Sequence, residues 1–225
     1  MSTKTKLLLC DPPWHFCDRK ETRKDNPAKK PRFGIGVERR YSAGTMTTSE
    51  LCSLGELIKK ITTPDAYLCC WTVRSMIEEA LQVLDAWGFK YRCELFTWVK
   101  TTKNGLLFKS PGSYSLGNTE AMWLARRVNE KGRLASSCWH SNAKGEYKPH
   151  QVHMLPHPRG EDGKIIHSRK PEEFHLELEK WLFPYLKAGE ASELFATQSR
   201  PGWNCFGHAL SGNSIEVDLK EHYGC

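Results

Sequence analysis

One short stretch of the chain, CDPPW at residues 10–14, combines residue types that suit a specific chemical task. It follows three leucines and therefore lies where a buried strand is expected to end. An exocyclic aromatic amine is a poor nucleophile because its lone pair is delocalised into the ring. Asp11 can accept one N–H of such an amine and the backbone carbonyl of Pro12 the other, which frees the lone pair. The ring-locked φ angles of Pro12 and Pro13 fix this geometry in advance, so the stretch favours methyl transfer to the amino group of adenine.

Trp14 offers a flat face on which a base can stack, a contact worth about 1–3 kcal/mol per base. A base that belongs to a duplex must leave its stack to reach such a pocket. The plainer interpretation is that Asp-Pro-Pro forms an ordinary turn and that the tryptophan fills the core. The tetrapeptide and the strand before it favour an amino-methyltransferase over that interpretation.

Strands and helices alternate along the chain, and this order predicts the framework that must position the stretch. We expect strands at 5–10, 66–73, 91–99, 120–126 and 192–197, and helices at 47–61, at 76–87 and from 171 onward. Such an order is typical of α/β domains, here one domain over residues 1–225, with a mostly parallel twisted sheet and helices on both faces. Ligands of these folds bind beyond the carboxyl ends of the strands. The turns after 5–10 and 192–197 are therefore expected to line one pocket if their strands are neighbours.

The formal net charge of +7 is concentrated in two stretches. Residues 18–40 hold nine Lys and Arg against four acidic residues, and residues 126–170 hold ten against four together with five histidines. Both stretches are rich in Gly, Pro, Asn and Ser, so we interpret about 15–46 and 129–167 as long basic loops. They are candidate nucleic-acid-binding elements, with a solvated charge run as the alternative.

Composition excludes several classes of protein. No apolar run is long enough to span a membrane and the N-terminus lacks the apolar stretch of a secretory signal, so a cytoplasmic protein is expected. The nine cysteines form no CxxC pair, and the spacing of Cys138, His140, His150, His153 and His157 matches no standard zinc pattern. We therefore expect buried thiols in a reducing compartment and no metal site.

The motifs occur in an order that resembles the DPPW-type adenine-N6 methyltransferases, a family that includes the catalytic subunit of the eukaryotic mRNA writer and many bacterial and phage enzymes. The matching segments after DPPW are YSAGTM at 41–46, GNTEAMWLARR at 117–127, HSRKPEEF at 167–174, and ELFAT with RPGWNCFG within 193–207. The resemblance covers nearly all of residues 5–210. It implies a Rossmann-like methyltransferase in which the catalytic turn precedes the cofactor motif, with S-adenosylmethionine (AdoMet) as the methyl donor.

The same resemblance implies roles for individual residues. The catalytic turn consists of Asp11, Pro12, Pro13 and Trp14. AdoMet contacts are implied for residues at strand ends and helix starts, namely Cys10, Asp11, Ser168, Lys170, Phe195, Thr197, Arg200, Gly207 and His208. Substrate contacts are implied for Trp14, Tyr41, Asn118 and Glu120, and for the basic residues Lys29, Lys30, Arg39 and Arg40 of the first loop. Lys170 is expected to hold the methionine carboxylate, a role that suits a cation near a helix N-terminus.

Two positions depart from the family pattern. The family usually has Arg where Thr197 stands and Asn where His208 stands. Either Arg200 takes over the ribose contact, or AdoMet binds more weakly.

The sequence thus predicts AdoMet-dependent methyl transfer to the N6 amine of adenine in a polynucleotide. DNA is preferred over RNA, because the compact chain without zinc fingers resembles the bacterial and phage members, which act in the cytoplasm of a bacterial or phage-infected cell. An RNA methyltransferase and a non-catalytic nucleic-acid-binding partner subunit are the alternatives, and methylation of a protein side chain is a more distant one. Because family members often pair, a homodimer is a further expectation.

Overall fold

The computed structural model describes residues 2–15, 44–110, 114–134, 147–166 and 169–225. The strands within these residues are β1 Thr5–Cys10, β2 Thr62–Thr72, β3 Phe89–Thr101, β4 Thr119–Arg127, β5 Val152–Pro156, β6 Ala191–Leu194 and β7 Asn204–Phe206. The helices are α1 Thr48–Ser53, α2 Gly55–Ile61, α3 Ile77–Ala86, α4 Glu173–Leu182, α5 His208–Ser211 and α6 Ile215–Tyr223, with a 3-10 turn at Phe183–Tyr185. Within the described ranges, no helix has the length and apolar character needed to cross a bilayer.

The strands form one sheet in the order β5-β3-β4-β2-β1-β6-β7. In this sheet, as far as the chain is described, β4 alone runs antiparallel, and it does so to both of its neighbours β2 and β3. All other pairs are parallel, so six of the seven strands point the same way. The predicted α/β fold with a mostly parallel sheet is confirmed.

The position of β1 inside the sheet, between β2 and β6, explains why its sequence is apolar without alternation. Leu8 and Cys10 face a core cluster shared with α1, α2, α3 and α6, whereas Leu7 and Leu9 face a second cluster shared with α4. Because helices cover both faces of the sheet, every residue of the run is buried. The carboxyl end of β1 is therefore held in place from both sides.

The helix predicted at 47–61 is divided into α1 and α2 at Leu54. Its start is fixed by a capping box, since the Thr47 hydroxyl accepts from Glu50 N and the Glu50 carboxylate accepts from Thr47 N. At the first residue of α2, a Cβ on Gly55 would lie 2.4 Å from the carbonyl oxygen of Ala86, so the close approach of α2 to the end of α3 requires a glycine here.

Two strands and the C-terminal helices are not among the sequence-based predictions. β5 lies inside the stretch interpreted as a basic loop at 129–167 and pairs in parallel with β3, so that interpretation is wrong for Val152–Pro156. β5 and β7 are the outer strands of the sheet, and they have only five and three residues. Strands this short and half exposed carry too little apolar alternation to be recognised.

Candidate active site

The catalytic turn predicted from the sequence begins directly after β1 and is fixed by backbone hydrogen bonds. Trp14 N donates to Pro12 O at 2.8 Å, which closes a three-residue turn around Pro13. Met46 N then donates to Pro13 O at 2.8 Å, and His15 N donates to Met46 O at 3.0 Å. Since Met46 lies just before the capped start of α1, the exit of the turn is attached to that helix.

Trp14 does not offer an open face in this structure. The side chain is 3% exposed, belongs to the core cluster on the side of α1 to α3, and donates from Nε1 to Trp71 O at 3.4 Å. The predicted stacking of a base on Trp14 therefore finds no accessible surface, and the plainer interpretation of the tryptophan as core packing describes its position. Its contribution to the site is to anchor the turn.

The two strand ends singled out in the sequence meet at one pocket. β1 and β6 are parallel neighbours with Leu9 opposite Glu193 and Cys10 opposite Leu194, so both following turns lie at the same edge of the sheet. An open cleft with about 420 Å³ of unoccupied space, part of it open to solvent, lies between them. Its lining consists of Leu9, Asp11, Trp71, Arg169, Lys170, His175, Glu193, Phe195, Thr197 and Arg200.

A chain of charged side chains connects Asp11 to the strands β3 and β4. Lys170 Nζ lies 2.5 Å from Asp11 Oδ2 and 3.4 Å from Glu120 Oε2. Glu120 also forms an ion pair with Lys100. We call Lys100, Glu120, Lys170 and Asp11 the ion-pair chain. The Lys170 ammonium is largely buried and stands 5.3 Å from the ring centroid of Trp71, an arrangement that also permits a cation–π contact.

Burial and the two lysines act in opposite directions on the carboxylates of this chain. Removal from water raises the pKa of Asp11, and Lys170 offsets only part of that increase, so the pKa stays above its ordinary value. Burial also raises the pKa of Glu120, but Lys170 and Lys100 together outweigh it and the net pKa is lowered. Asp11 is therefore the carboxylate of the pair that protonates more readily as pH falls.

A second group of charges forms the opposite wall of the pocket. His175 Nε2 lies 3.1 Å and Arg200 Nε 3.3 Å from the same oxygen of Glu193, Oε2. Arg200 also pairs with Glu172 at the start of α4. The guanidinium predicted to contact a ribose thus lines the pocket but is held by two carboxylates. His175 Nδ1 is buried and has no hydrogen-bond partner among the described residues.

The chain after β6 follows an unusual backbone path at the pocket. Phe195 has φ +60°, the only positive φ of a non-glycine residue in the described ranges. Ala196 N donates to Phe206 O at 2.9 Å, and a Cβ on Gly207 would lie 2.4 Å from Ala196 O. The absence of a side chain at Gly207 is therefore what allows the segment after β7 to pack against the turn that carries Phe195.

Other predicted site residues are placed as follows. Thr197 lines the pocket with an exposed side chain. Cys10 is fully buried and is not among the residues that line the pocket. Gly207 and His208 do not line the pocket, and the exposed His208 Nδ1 lies 3.3 Å from Asn213 O. Asn118 is also outside the lining and accepts from Lys100 N through its backbone oxygen at 2.8 Å. Ser168, Tyr41, Lys29, Lys30, Arg39 and Arg40 lie outside the described residues.

Sequence reasoning missed five of the residues that line the pocket, namely Leu9, Trp71, Arg169, His175 and Glu193. A usable signal existed for two of them. Glu193 is an acidic residue inside an apolar strand, and His175 stands beside the apolar face of α4, and buried polar groups of this kind need a partner.

A mostly parallel sheet with a charged pocket beyond two adjacent strand ends is the arrangement of a Rossmann-like, methyltransferase type of α/β fold. The chain belongs to the MT-A70 family, whose sequence profile matches residues 5–209. It is also 27% identical over 220 residues to the type II methyltransferase M.MunI from Mycoplasma sp, an alignment that covers 95% of this chain and 81% of that protein. The resemblance recognised from the motifs is confirmed. The chain is accordingly a methyltransferase, a class that in general uses AdoMet.

The groups that line the pocket match the chemical groups of AdoMet. Lys170 and Arg169 are cations of the kind that suit its carboxylate, and Glu193 is an acceptor of the kind that suits hydroxyl or ammonium hydrogens. On the same side of the pocket, His175 Nδ1 is a buried polar atom that has no hydrogen-bond partner among the described residues. Phe195 contributes an aromatic surface held by its left-handed backbone. We conclude that the residues present fit this cofactor.

Proposed function

We propose that the chain transfers a methyl group from AdoMet to the exocyclic N6 amine of adenine in a polynucleotide, with DNA as the preferred substrate. The single observation that carries this proposal is the position of Asp11. Its carboxylate stands directly after the end of β1, at the lining of the pocket, 2.5 Å from Lys170. A carboxylate held there before any substrate arrives suits the orientation of an amine.

Asp11 and Pro12 have acceptor capacity left for the two amine hydrogens. Lys170 engages Oδ2 of Asp11, and Oδ1 makes no hydrogen bond to the described residues. Pro12 O accepts one bond from Trp14 N, and a carbonyl oxygen has a second lone pair. One N–H directed to each oxygen draws the nitrogen toward tetrahedral geometry, which localises the lone pair for attack.

AdoMet, when bound, supplies an electrophilic methyl group on a sulfonium sulfur. Asp11 and Pro12 would orient the amine to accept that methyl group, and one amine proton would leave to solvent or to Asp11. Lys170 keeps the Asp11 carboxylate ionised and in place during this change of charge. Full deprotonation of the amine before attack is not required, because the carboxylate acts by accepting hydrogen bonds.

The preference for DNA rests on the resemblance to bacterial and phage members of the family and on the basic composition of the chain. It is tested by incubating the protein with methyl-labelled AdoMet and a DNA or RNA duplex of the same sequence, followed by mass spectrometry of the nucleosides. We expect N6-methyladenine in the DNA. Label found only in RNA would identify RNA as the substrate. The absence of label together with the absence of AdoMet binding would favour a non-catalytic partner subunit.

The role of Asp11 is tested by Asp11→Ala. We expect the rate of transfer to fall by about 10²- to 10³-fold, the range found for loss of one preorganised catalytic group. AdoMet affinity, measured by calorimetry, should stay within a few-fold, because the carboxylate acts on the amine. The matched control is Asp85→Ala, an exposed aspartate on α3, which should leave both quantities unchanged. Equal losses of transfer and AdoMet affinity in Asp11→Ala would refute the assigned role.

A further inference from the structure

The loop between β3 and β4 exposes large apolar side chains to solvent. We use the name β3–β4 loop for its described residues 102–110 and 114–118. Leu106 is 69% exposed, Leu107 51% and Leu116 55%, and Tyr114 is fully exposed. Several large apolar side chains close together in one loop are a feature of contact surfaces rather than of a random surface.

Backbone bonds and one aromatic contact hold the loop in a defined conformation. Thr102 N donates to Leu106 O at 2.7 Å, and Phe108 N donates to Lys100 O at 2.8 Å. The Phe108 ring packs edge-on against His157, with ring centroids 4.6 Å apart. Leu106 and Leu107 therefore lie on the returning arm of a folded hairpin, directly after its turn at 103–105, with Leu107 paired to Thr101.

The β3–β4 loop lies at the same edge of the sheet as the catalytic turn. β3 is antiparallel to β4, and β1 is parallel to β2, which is also antiparallel to β4. β1 and β3 therefore point the same way, and their carboxyl ends lie at the same edge of the sheet. The ion-pair chain joins the two features. Lys100 stands just before the loop and Glu120 just after it, and Glu120 reaches Lys170, which holds Asp11.

All charged residues of the loop are basic. Residues 102–118 contain Lys103 and Lys109 and no acidic residue. Both lysines are exposed beside the leucines. Ammonium groups next to exposed apolar side chains complement a surface of phosphates with stacked bases between them, since the cations contact phosphates and apolar side chains enter base steps.

We propose that the β3–β4 loop enters a DNA duplex beside the target adenine and that Leu106 and Leu107 fill the space that the extruded base leaves. The inference rests on the proposed function, because only chemistry on a base inside a duplex requires extrusion. Extrusion breaks stacking and pairing, and apolar side chains that take the place of the base reduce this cost. Lys103 and Lys109 contact the flanking phosphates.

The test is the double variant Leu106→Ser/Leu107→Ser, assayed on three DNA substrates with a mapped methylation site. These are the intact duplex, the same duplex with an abasic site opposite the target adenine, and the single strand. We expect kcat/KM on the intact duplex to fall about tenfold or more, equivalent to the loss of one good apolar contact. On the other two substrates, where the adenine is already unpaired, the variant should stay within about twofold of the unaltered protein.

The matched control is Leu81→Ser, the same change at an exposed leucine of α3, which should behave as the unaltered protein on all three substrates. A second readout needs no AdoMet. With 2-aminopurine at the target position, the unaltered protein should raise the fluorescence of the duplex, and the double variant should not.

The outcomes separate this inference from the function on which it rests. If the unaltered protein methylates the duplex and the double variant does so equally well, the proposed role of Leu106 and Leu107 is refuted and the proposed function stands. If losses are equal on duplex and single strand and the sedimenting mass changes, the loop is a protein interface and the inference is overturned. If the unaltered protein modifies no polynucleotide, both the proposed function and the proposed role of the β3–β4 loop are refuted.

Discussion

At the pocket, one ammonium group pairs with two half-buried carboxylates, because Lys170 Nζ lies within 3.4 Å of both Asp11 and Glu120. Burial raises the pKa of Asp11, Lys170 lowers it, and the nearby charges of Glu120 and Glu193 raise it further. The ionised form of Asp11, which the proposed chemistry needs, therefore depends on this lysine.

Replacing Lys170 with methionine is expected to shift the acid limb of the pH–rate profile. Without the ammonium, the pKa of Asp11 rises further above its ordinary value, so the carboxylate protonates at a higher pH as pH falls. The acid limb of kcat/KM should consequently move to higher pH, and AdoMet affinity should fall because the cation for its carboxylate is lost. Steady-state rates across pH with calorimetric AdoMet binding measure both effects.

Two further variants make this prediction specific. Lys170→Arg keeps the charge and should keep the acid limb close to that of the unaltered protein. Lys90→Met removes an exposed lysine at the amino end of β3, at the sheet edge opposite to the pocket, and should change nothing. An acid limb that stays in place in Lys170→Met would mean that Asp11 is not the titrating group.

Among the elements, the turn after β6 depends on close backbone packing more than on side chains. Gly207→Ala should destabilise the fold by about 1–3 kcal/mol, the usual cost of overpacking, because the new Cβ would lie 2.4 Å from Ala196 O. The displaced segment carries Phe195 at the pocket, so AdoMet affinity should fall as well. Denaturant unfolding and calorimetry report the two quantities separately.

Gly55→Ala is the matched control for this prediction. Its Cβ would also lie 2.4 Å from a carbonyl oxygen, that of Ala86, but outside the residues that line the pocket. It should destabilise the fold by a similar amount and leave the AdoMet affinity of the folded protein unchanged. If both variants lose affinity alike, the turn after β6 has no specific part in cofactor binding.

The elements also show how far sequence reasoning reaches. The strands β1 to β4 were predictable because apolar runs indicate them, and the helix α3 was predictable because its apolar residues recur at helical spacing. β5 was not, because its five residues alternate between exposed and half-buried positions inside a basic stretch. The close approach of Gly55 to the end of α3 was not either, since it is a contact between distant parts of the chain.

For the site, the residue types of the catalytic turn predict its chemistry and the resemblance predicts a role for Lys170, and both Asp11 and Lys170 line the pocket. The direct contact between Lys170 and Asp11 follows only from the fold, because it joins the first strand to the start of α4. The burial of Trp14 was equally invisible, because an aromatic after a turn can face either the core or a ligand. Periodicity identifies elements, but it does not say which side chains meet.

The whole molecule carries a net charge of +7, and this determines how it should respond to salt. Affinity for duplex DNA is expected to fall steeply with rising salt, with a slope of about 0.9 in the logarithmic plot for each phosphate contacted. The variant Lys29→Gln/Lys30→Gln should reduce that slope by about two contacts, whereas Lys90→Gln should not. Fluorescence anisotropy at several salt concentrations provides the slopes, and a flat response would remove the basic stretches from the account of binding.

The order of strands in the sheet has a consequence for biosynthesis. β1 is made first, yet it pairs on one side with β6, one of the last strands of the chain. Until the ribosome has released that late segment, one edge of the most apolar strand stays open to other molecules, and such contacts between distant segments form slowly. We therefore expect aggregation to compete with folding until β6 is available to pair with β1.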